Sequence, residues 1–217
     1  MATQTKSRRK ERAEPEFELH IHGDISIKAD VSLQRLEEAL MPILDYVNAQ
    51  DFDDAVSCYD EEPGFDFDAR THVLHLCWSA EVDRDFHSRV ETAFSSLNEF
   101  TAEATAVELA YYENDDDAEG ENDEFGLMFV GPTPEAILEA QREYMVEEVG
   151  HLLSSQFDEG ETAEVIEAVN RVFAKKSAAI ESFNKIAWGQ IPGMGGAGNH
   201  GAPNASHLPP GKRRHLH

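Results

Sequence analysis

The chain predicts an α+β fold: an antiparallel sheet of about six strands with helices on one face, then a long C-terminal helix. Three observations lead there. Segments in which apolar and polar residues alternate, the period of a half-buried strand, occur in pairs separated by turn residues. Stretches with apolar residues at three- and four-residue spacing, the period of an amphipathic helix, follow each pair. Hairpin followed by helix thus recurs over 16–48, 64–98 and 104–153, a repeat of pattern without a repeat of sequence.

Residues 1–15 are polar and basic without periodicity and read as a flexible arm; the α+β domain follows over 16–156. Phe17, Leu19 and Ile21 alternate with Glu18, His20 and His22, and Ile25, Ile27 and Ala29 alternate with Ser26 and Lys28. The Gly23-Asp24 pair between them signals a tight turn, so the reading is a hairpin, or a single strand bulged at Gly23. Ser32 can cap a helix with Leu33, Leu36, Leu40, Ile43 and Val47 on one face, in which Pro42 predicts a kink or break. A second hairpin pairs Phe65 and Phe67 with a return strand from His72 to Ser79. Its helix carries Val82, Phe86, Val90, Phe94 and Leu97, with Asp83 as a cap.

The third hairpin is the most conspicuous stretch. Val107, Leu109 and Tyr111 precede, and Phe125, Leu127 and Phe129 follow, a loop in which eight of the twelve residues from Glu113 to Glu124 are Asp or Glu. The flanks read as strands in the core, and the loop must stay in water. Thr133 followed by Pro134 then opens a helix, with Thr as cap and Pro at the first helical position. The last helix, 160–188, carries a stripe of Val165, Val169, Val172, Phe173, Ile180 and Phe183. No strand follows, so the stripe packs on its own domain or on a second copy, and a homo-oligomer is expected. Residues 189–217, rich in Gly, Pro and His, read as a disordered tail.

Charge narrows the functions. The 217 residues hold 43 acidic and 18 basic groups, a net charge of −25, and much of the basic charge lies in the two tails. No Lys or Arg lies between Arg35 and Arg70 or between Arg89 and Arg142. A body of that sign disfavours direct binding of nucleic acid or anionic membrane and favours basic partners. No apolar run has the length of a membrane span, and the first residues lack the apolar centre of a secretion signal. Cys58 and Cys77 read as reduced thiols of a cytoplasmic protein.

Three constellations carry chemistry. His20 and His22, two apart on a strand, point the same way and with Asp24 suit a metal ion. The segment Leu19-His20-Ile21-His22-Gly23-Asp24-Ile25-Ser26 resembles the first motif of PHP-type phosphoesterases, and its HxHxD core resembles metallo-β-lactamases. Either resemblance implies a metal-dependent hydrolase. Ile25 stands where the metallo-β-lactamase pattern has another His, and the later His- and Asp-bearing motifs of both families are not found downstream. Asp115, Asp117, Glu119 and Gly120 imitate the start of an EF-hand loop, but Gly126 stands where the closing Glu belongs and strands flank it. His72, His75, His87 and Cys77 form the third set, without a residue placed by sequence to orient a base toward the thiol. No P-loop, GxSxG, HExxH or dinucleotide fingerprint occurs, and no cofactor is expected.

The expectation is therefore a strongly acidic, non-enzymatic binding or regulatory protein that engages a basic protein partner, in one form as a nucleic-acid mimic. The loop acids Asp115, Asp116, Asp117, Glu119, Glu121, Asp123 and Glu124 are the candidate contacts. The alternatives are the hydrolase built on His20, His22 and Asp24, and an acidic oligomer whose charge serves solubility or salt adaptation.

Overall fold

Five antiparallel strands form one sheet in the order β2-β3-β1-β4-β5, with the first strand in the middle. The coordinates are a computed structural model, and the residues it describes are 15–113 and 124–189, without the side chains of 181–189. The basic arm, the tail from 190, and Asp115, Asp116, Asp117, Glu119, Glu121 and Asp123 lie outside the described residues. The strands are β1 (Phe17–Ser26), β2 (Gly64–Asp68), β3 (Val73–Val82), β4 (Thr105–Glu113) and β5 (Glu124–Val130). The helices are α1 (Leu33–Val47), α2 (Phe86–Leu97), α3 (Pro134–Ser154) and α4 (Glu159–Gly189).

The strand count is five because the first hairpin is one strand. β1 pairs with β3 without a break from Phe17 opposite Val82 to Ser26 opposite Val73, so Gly23 is neither a turn nor a bulge in that ladder. A two-residue turn at Gly23-Asp24 would set Ile21 against Ser26 and Leu19 against Lys28, mixing faces. Kept straight, the strand puts Leu19, Ile21 and Ile25 on one face, all nearly inaccessible. Gly23 has φ +156°, and a Cβ there would stand 3.3 Å from Val107 Cα, so the glycine admits β4 alongside.

That inner face carries the core. Leu74, Leu76 and Trp78 of β3 and Val107 and Leu109 of β4 continue it, and α1 and α2 cover it with Leu36, Leu40, Ile43, Leu44, Phe86, Val90, Phe94 and Leu97. α1 runs unbroken through Pro42. Its buried residues lie on both sides of the proline, and burial of several large side chains offsets a defect of about 3 kcal/mol. Ser32 and Thr133 sit at the N-caps of α1 and α3, and Thr133 accepts a hydrogen bond from Ala136 N. α2 starts two residues later than Asp83 suggests, after Asp85, because Val82 still belongs to β3.

Helices on one face describes α1 and α2 but not α3. In the β4–β5 register Val107 faces Met128 and Leu109 faces Gly126, so Phe125, Leu127 and Phe129 fall on the outer face with Glu108 and Ala110. α3 comes over that outer face, where Tyr144 meets Phe129 edge-on at 6.0 Å. α4 packs along α3 as the second arm of a helical hairpin: Arg142 donates to Asn170 Oδ1 at 3.0 Å.

Candidate functional site

The outer face of the sheet holds the polar chemistry of the described residues, because the even-numbered residues of β1 and their neighbours point there. His20 is its centre. Its Nε2 lies 2.7 Å from Glu18 Oε1, which also accepts from the Tyr59 hydroxyl at 2.7 Å. Its Nδ1 lies 2.9 Å from Ser79 Oγ, which in turn donates to Glu62 Oε1 at 2.9 Å. Ser57 donates to the other Glu62 oxygen and accepts from Ser79 N at 2.9 Å. Tyr59 and Tyr112 flank the imidazole with ring centroids at 5.8 and 5.0 Å.

Ser79, His20 and Glu18 have the outline of a nucleophile, a base and an orienting acid, but the hydrogens run the wrong way. With its single hydrogen on Glu62, the Ser79 hydroxyl has none directed at His20, whereas a nucleophile must give its proton to the base. Ser79 is also wholly inaccessible. The array is a bridge tying β3, β1 and the 57–62 loop together.

The metal reading meets a similar obstacle. His20 is committed to Glu18 and Ser79, and Asp24 lies 2.7 Å from His75 Nδ1, leaving His22 exposed. Among the described residues no group of three or more His, Cys, Asp or Glu is placed to hold a metal ion. His75 and Cys77 do share the outer face. Burial, and then the Glu62 charge, push the Cys77 thiol up, away from a reactive thiolate. His87 is elsewhere, with Nδ1 2.8 Å from Tyr111 OH, and His72 sits at positive φ in the β2–β3 turn.

Beside the network, between β1, β4, β5 and α3, lies a groove of about 550 Å³ lined by His20, His22, Glu108, Ala110, Tyr112, Phe125, Leu127 and Tyr144 among others. Tyr112 and Phe125 meet edge-on at 5.8 Å, and Phe125 is 73 % exposed, far more than a core residue. None of the lining residues is Lys or Arg. Desolvation, and then Glu148, Glu108 and Glu147, raise the Tyr144 phenol. The Glu18 hydrogen bond and charge push Tyr59 up to about 12. Carboxylates thus stand near both phenols: Glu18 and Glu62 by Tyr59, and Glu108, Glu147 and Glu148 by Tyr144.

The groove reaches the start of β5, where Phe125 follows Glu124. Of the candidate contacts only Glu124 is described; it stands opposite Tyr111. Sequence reading did not find Glu108, Tyr112 and Tyr144. The signal was available in β4, whose even positions carry Glu108 and Tyr112 out of phase with the core set. Of the α4 stripe, Val169, Phe173 and Ile180 are half-buried and Val165 and Val172 are exposed, while the side chain of Phe183 lies outside the described residues. No helix among the described residues is long and apolar enough to cross a membrane.

Fold and outer face together define an α+β protein on one antiparallel sheet, with a polar bridge and an electronegative aromatic groove opposite its core. The match to a family model then places it: residues 17–174, from β1 into α4, match DUF6806, described as a family of unknown function, and the chain belongs to that family. No curated protein and no solved structure matches it.

Proposed function

We propose that the protein is a non-enzymatic binding protein that takes a basic protein segment on its outer sheet face. The groove supports this reading: three aromatic rings, Tyr112, Phe125 and Tyr144, stand with Glu108 in a negative field, with no cation lining it. Aromatic faces and a carboxylate together suit the side chain of Arg or Lys, each cation–ring contact contributing about 0.5–2 kcal/mol. The loop acids Asp115 to Glu124, at the groove's foot in sequence, add long-range attraction to the same partner. A hydrolase has less in its favour, because the residues that would serve it are held by one another.

Fluorescence anisotropy with a labelled arginine-rich peptide tests it, beside a neutral peptide of equal length. The basic peptide is expected to bind and to weaken steeply as salt shortens the Debye length below about 8 Å. Tyr112→Ala and Glu108→Gln are each expected to weaken it about 5- to 30-fold, corresponding to about 1–2 kcal/mol. Changing the loop acids to Asn and Gln is expected to slow association and flatten the salt dependence. Equal affinity for the neutral peptide, or no loss in either groove variant, would refute the proposal.

A further inference from the structure

The chain carries a basic segment of its own beside the outer-face groove, and we infer that residues 6–12 fold back into that groove, in competition with any foreign basic segment. The inference rests on the groove being a site for basic segments. Five of these seven residues, Lys6, Arg8, Arg9, Lys10 and Arg12, are basic, the largest cluster of positive charge in the sequence. The described chain takes over at Pro15.

Connectivity delivers the segment to the groove. β1, the strand that follows it, lines the groove with His20 and His22. In the β1–β4 ladder Glu18 stands opposite Tyr112 and His22 opposite Glu108, so the groove runs between those two levels. That is a length of about 13 Å at about 3.3 Å per residue. Glu16, held by its bond to Val82 O at 3.0 Å, lies two residues before the Tyr112 end. A chain advances at most about 3.5 Å per residue, so Arg12 reaches about 14 Å from Glu16 and Arg8 about 28 Å. After one reversal of direction, Lys10 and Arg12 come within reach of Tyr112, and Arg8 and Arg9 within reach of Glu108.

Charge complementarity favours the same occupant. Tyr112, Phe125 and Tyr144 line the groove with Glu108, and none of its lining residues is Lys or Arg. Glu148 and Glu147 stand near Tyr144 as well. Aromatic rings beside carboxylates hold guanidinium and ammonium groups. The chain uses that contact elsewhere: Arg35 lies over the Phe100 ring at 4.5 Å and Arg89 over Tyr46 at 5.5 Å. The other basic run outside the described residues, Lys212, Arg213 and Arg214, begins 23 residues after α4 ends at Gly189, whereas Arg12 is four from Glu16. Effective concentration falls roughly as the −3/2 power of tether length, which favours residues 6–12.

Fluorine NMR of the full chain, with 3-fluorotyrosine at its five tyrosines, tests the contact. Each signal is assigned by a Tyr→Phe substitution. The parent is compared with an arm variant carrying Lys6→Gln, Arg8→Gln, Arg9→Gln, Lys10→Gln and Arg12→Gln. At about 0.05 M salt the Tyr112 and Tyr144 signals are expected to differ between the two chains, and at about 0.5 M to converge. Tyr46, buried against Phe86, should not move, which reports an intact core. Between about 20 and 200 μM protein, far below the millimolar effective concentration of a short tether, the difference should hold constant. A segment that fills the groove two-thirds to nine-tenths of the time weakens a competitor about 3- to 10-fold, so the labelled arginine-rich peptide should bind the arm variant that much more tightly. A tail variant with Lys212→Gln, Arg213→Gln and Arg214→Gln controls for net charge and should match the parent in both readouts.

Identical Tyr112 and Tyr144 signals in parent and arm variant overturn the inference, and the groove reading then survives if the peptide binds both chains alike. A difference that the tail variant reproduces, or that grows with protein concentration, also overturns it, in favour of the tail or of a second copy's segment. Signals that differ as expected, with a peptide that binds neither chain, support the contact and refute the foreign partner.

Discussion

Removing the Ser79 hydroxyl separates a structural bridge from a catalytic serine. Ser79 Oγ makes two bonds of 2.9 Å, donating to Glu62 and meeting His20 Nδ1, inside a residue with no accessible surface. In Ser79→Ala the Glu62 carboxylate keeps Ser57 but loses a charge-assisted donor, a loss of about 1.5–3 kcal/mol. His20 Nδ1 loses its nearest partner, a further cost of about 0.5–1.5 kcal/mol. Some of this returns, because Glu62 Oε1 already lies 3.7 Å from His20 Nδ1 and a small shift closes that gap. The net expectation is a destabilisation of about 2–3 kcal/mol, equivalent to a fall in Tm of about 5–10 °C in a domain of this size. Urea and thermal unfolding followed by circular dichroism measure it, and Ser79→Cys, which retains a weak donor, should fall between. A Ser79→Ala protein as stable as the parent would show that the hydroxyl bridges nothing of consequence, and would reopen its role as a nucleophile.

Two further outcomes follow from particular contacts. A Cβ at Gly131 would stand 2.7 Å from Ala104 Cβ and 2.9 Å from Ile137 Cγ1, so Gly131→Ala should cost about 1–3 kcal/mol in urea unfolding; an unchanged midpoint would refute that reading of the β5–α3 corner. Burial first, then Glu124 and Glu91, push the Tyr111 phenol up to about 12, from 10 in the unfolded chain. Between those values the unfolded chain binds fewer protons, so this contribution is complete below pH 10 and is lost as pH rises toward 12. Discounted for partial exposure it amounts to about 1–2 kcal/mol. Stability measured against pH should therefore fall less steeply in Tyr111→Phe than in the parent, and identical slopes would refute the assignment.

What could be read from the residues alone was local. The alternation in β3, the stripes of α1 and α2, and the Thr133-Pro134 start of α3 each depend on neighbours within a few positions, and each appears as expected. Gly23-Asp24 misled because a turn dipeptide is a local signal, whereas the demand that Leu19, Ile21 and Ile25 share one face belongs to the whole sheet. The outer-face site was illegible for the same reason. His20 and Glu18 are visibly on one face, but Ser79 and Tyr59 reach them from 59 and 41 residues away. Tyr144 enters the groove only because the β4–β5 register turns Phe129 outward.

The central place of β1 has a consequence for how the protein is made. Each of the hairpins β2–β3 and β4–β5 closes over a short stretch of chain, yet among the described residues no ladder joins one to the other except through β1, which precedes both in the chain. Its partners Val82 and Glu113 lie 65 and 96 residues beyond Phe17, so the sheet stays incomplete until at least 96 residues after Phe17 have been synthesised. Until then a strand with Leu19, Ile21 and Ile25 on one side has both edges open, the condition in which strands find wrong partners. The residues that alternate with those three, Glu18, His20, His22 and Asp24, keep its other side hydrated during that wait. The same side chains that build the outer face thus also guard the nascent strand.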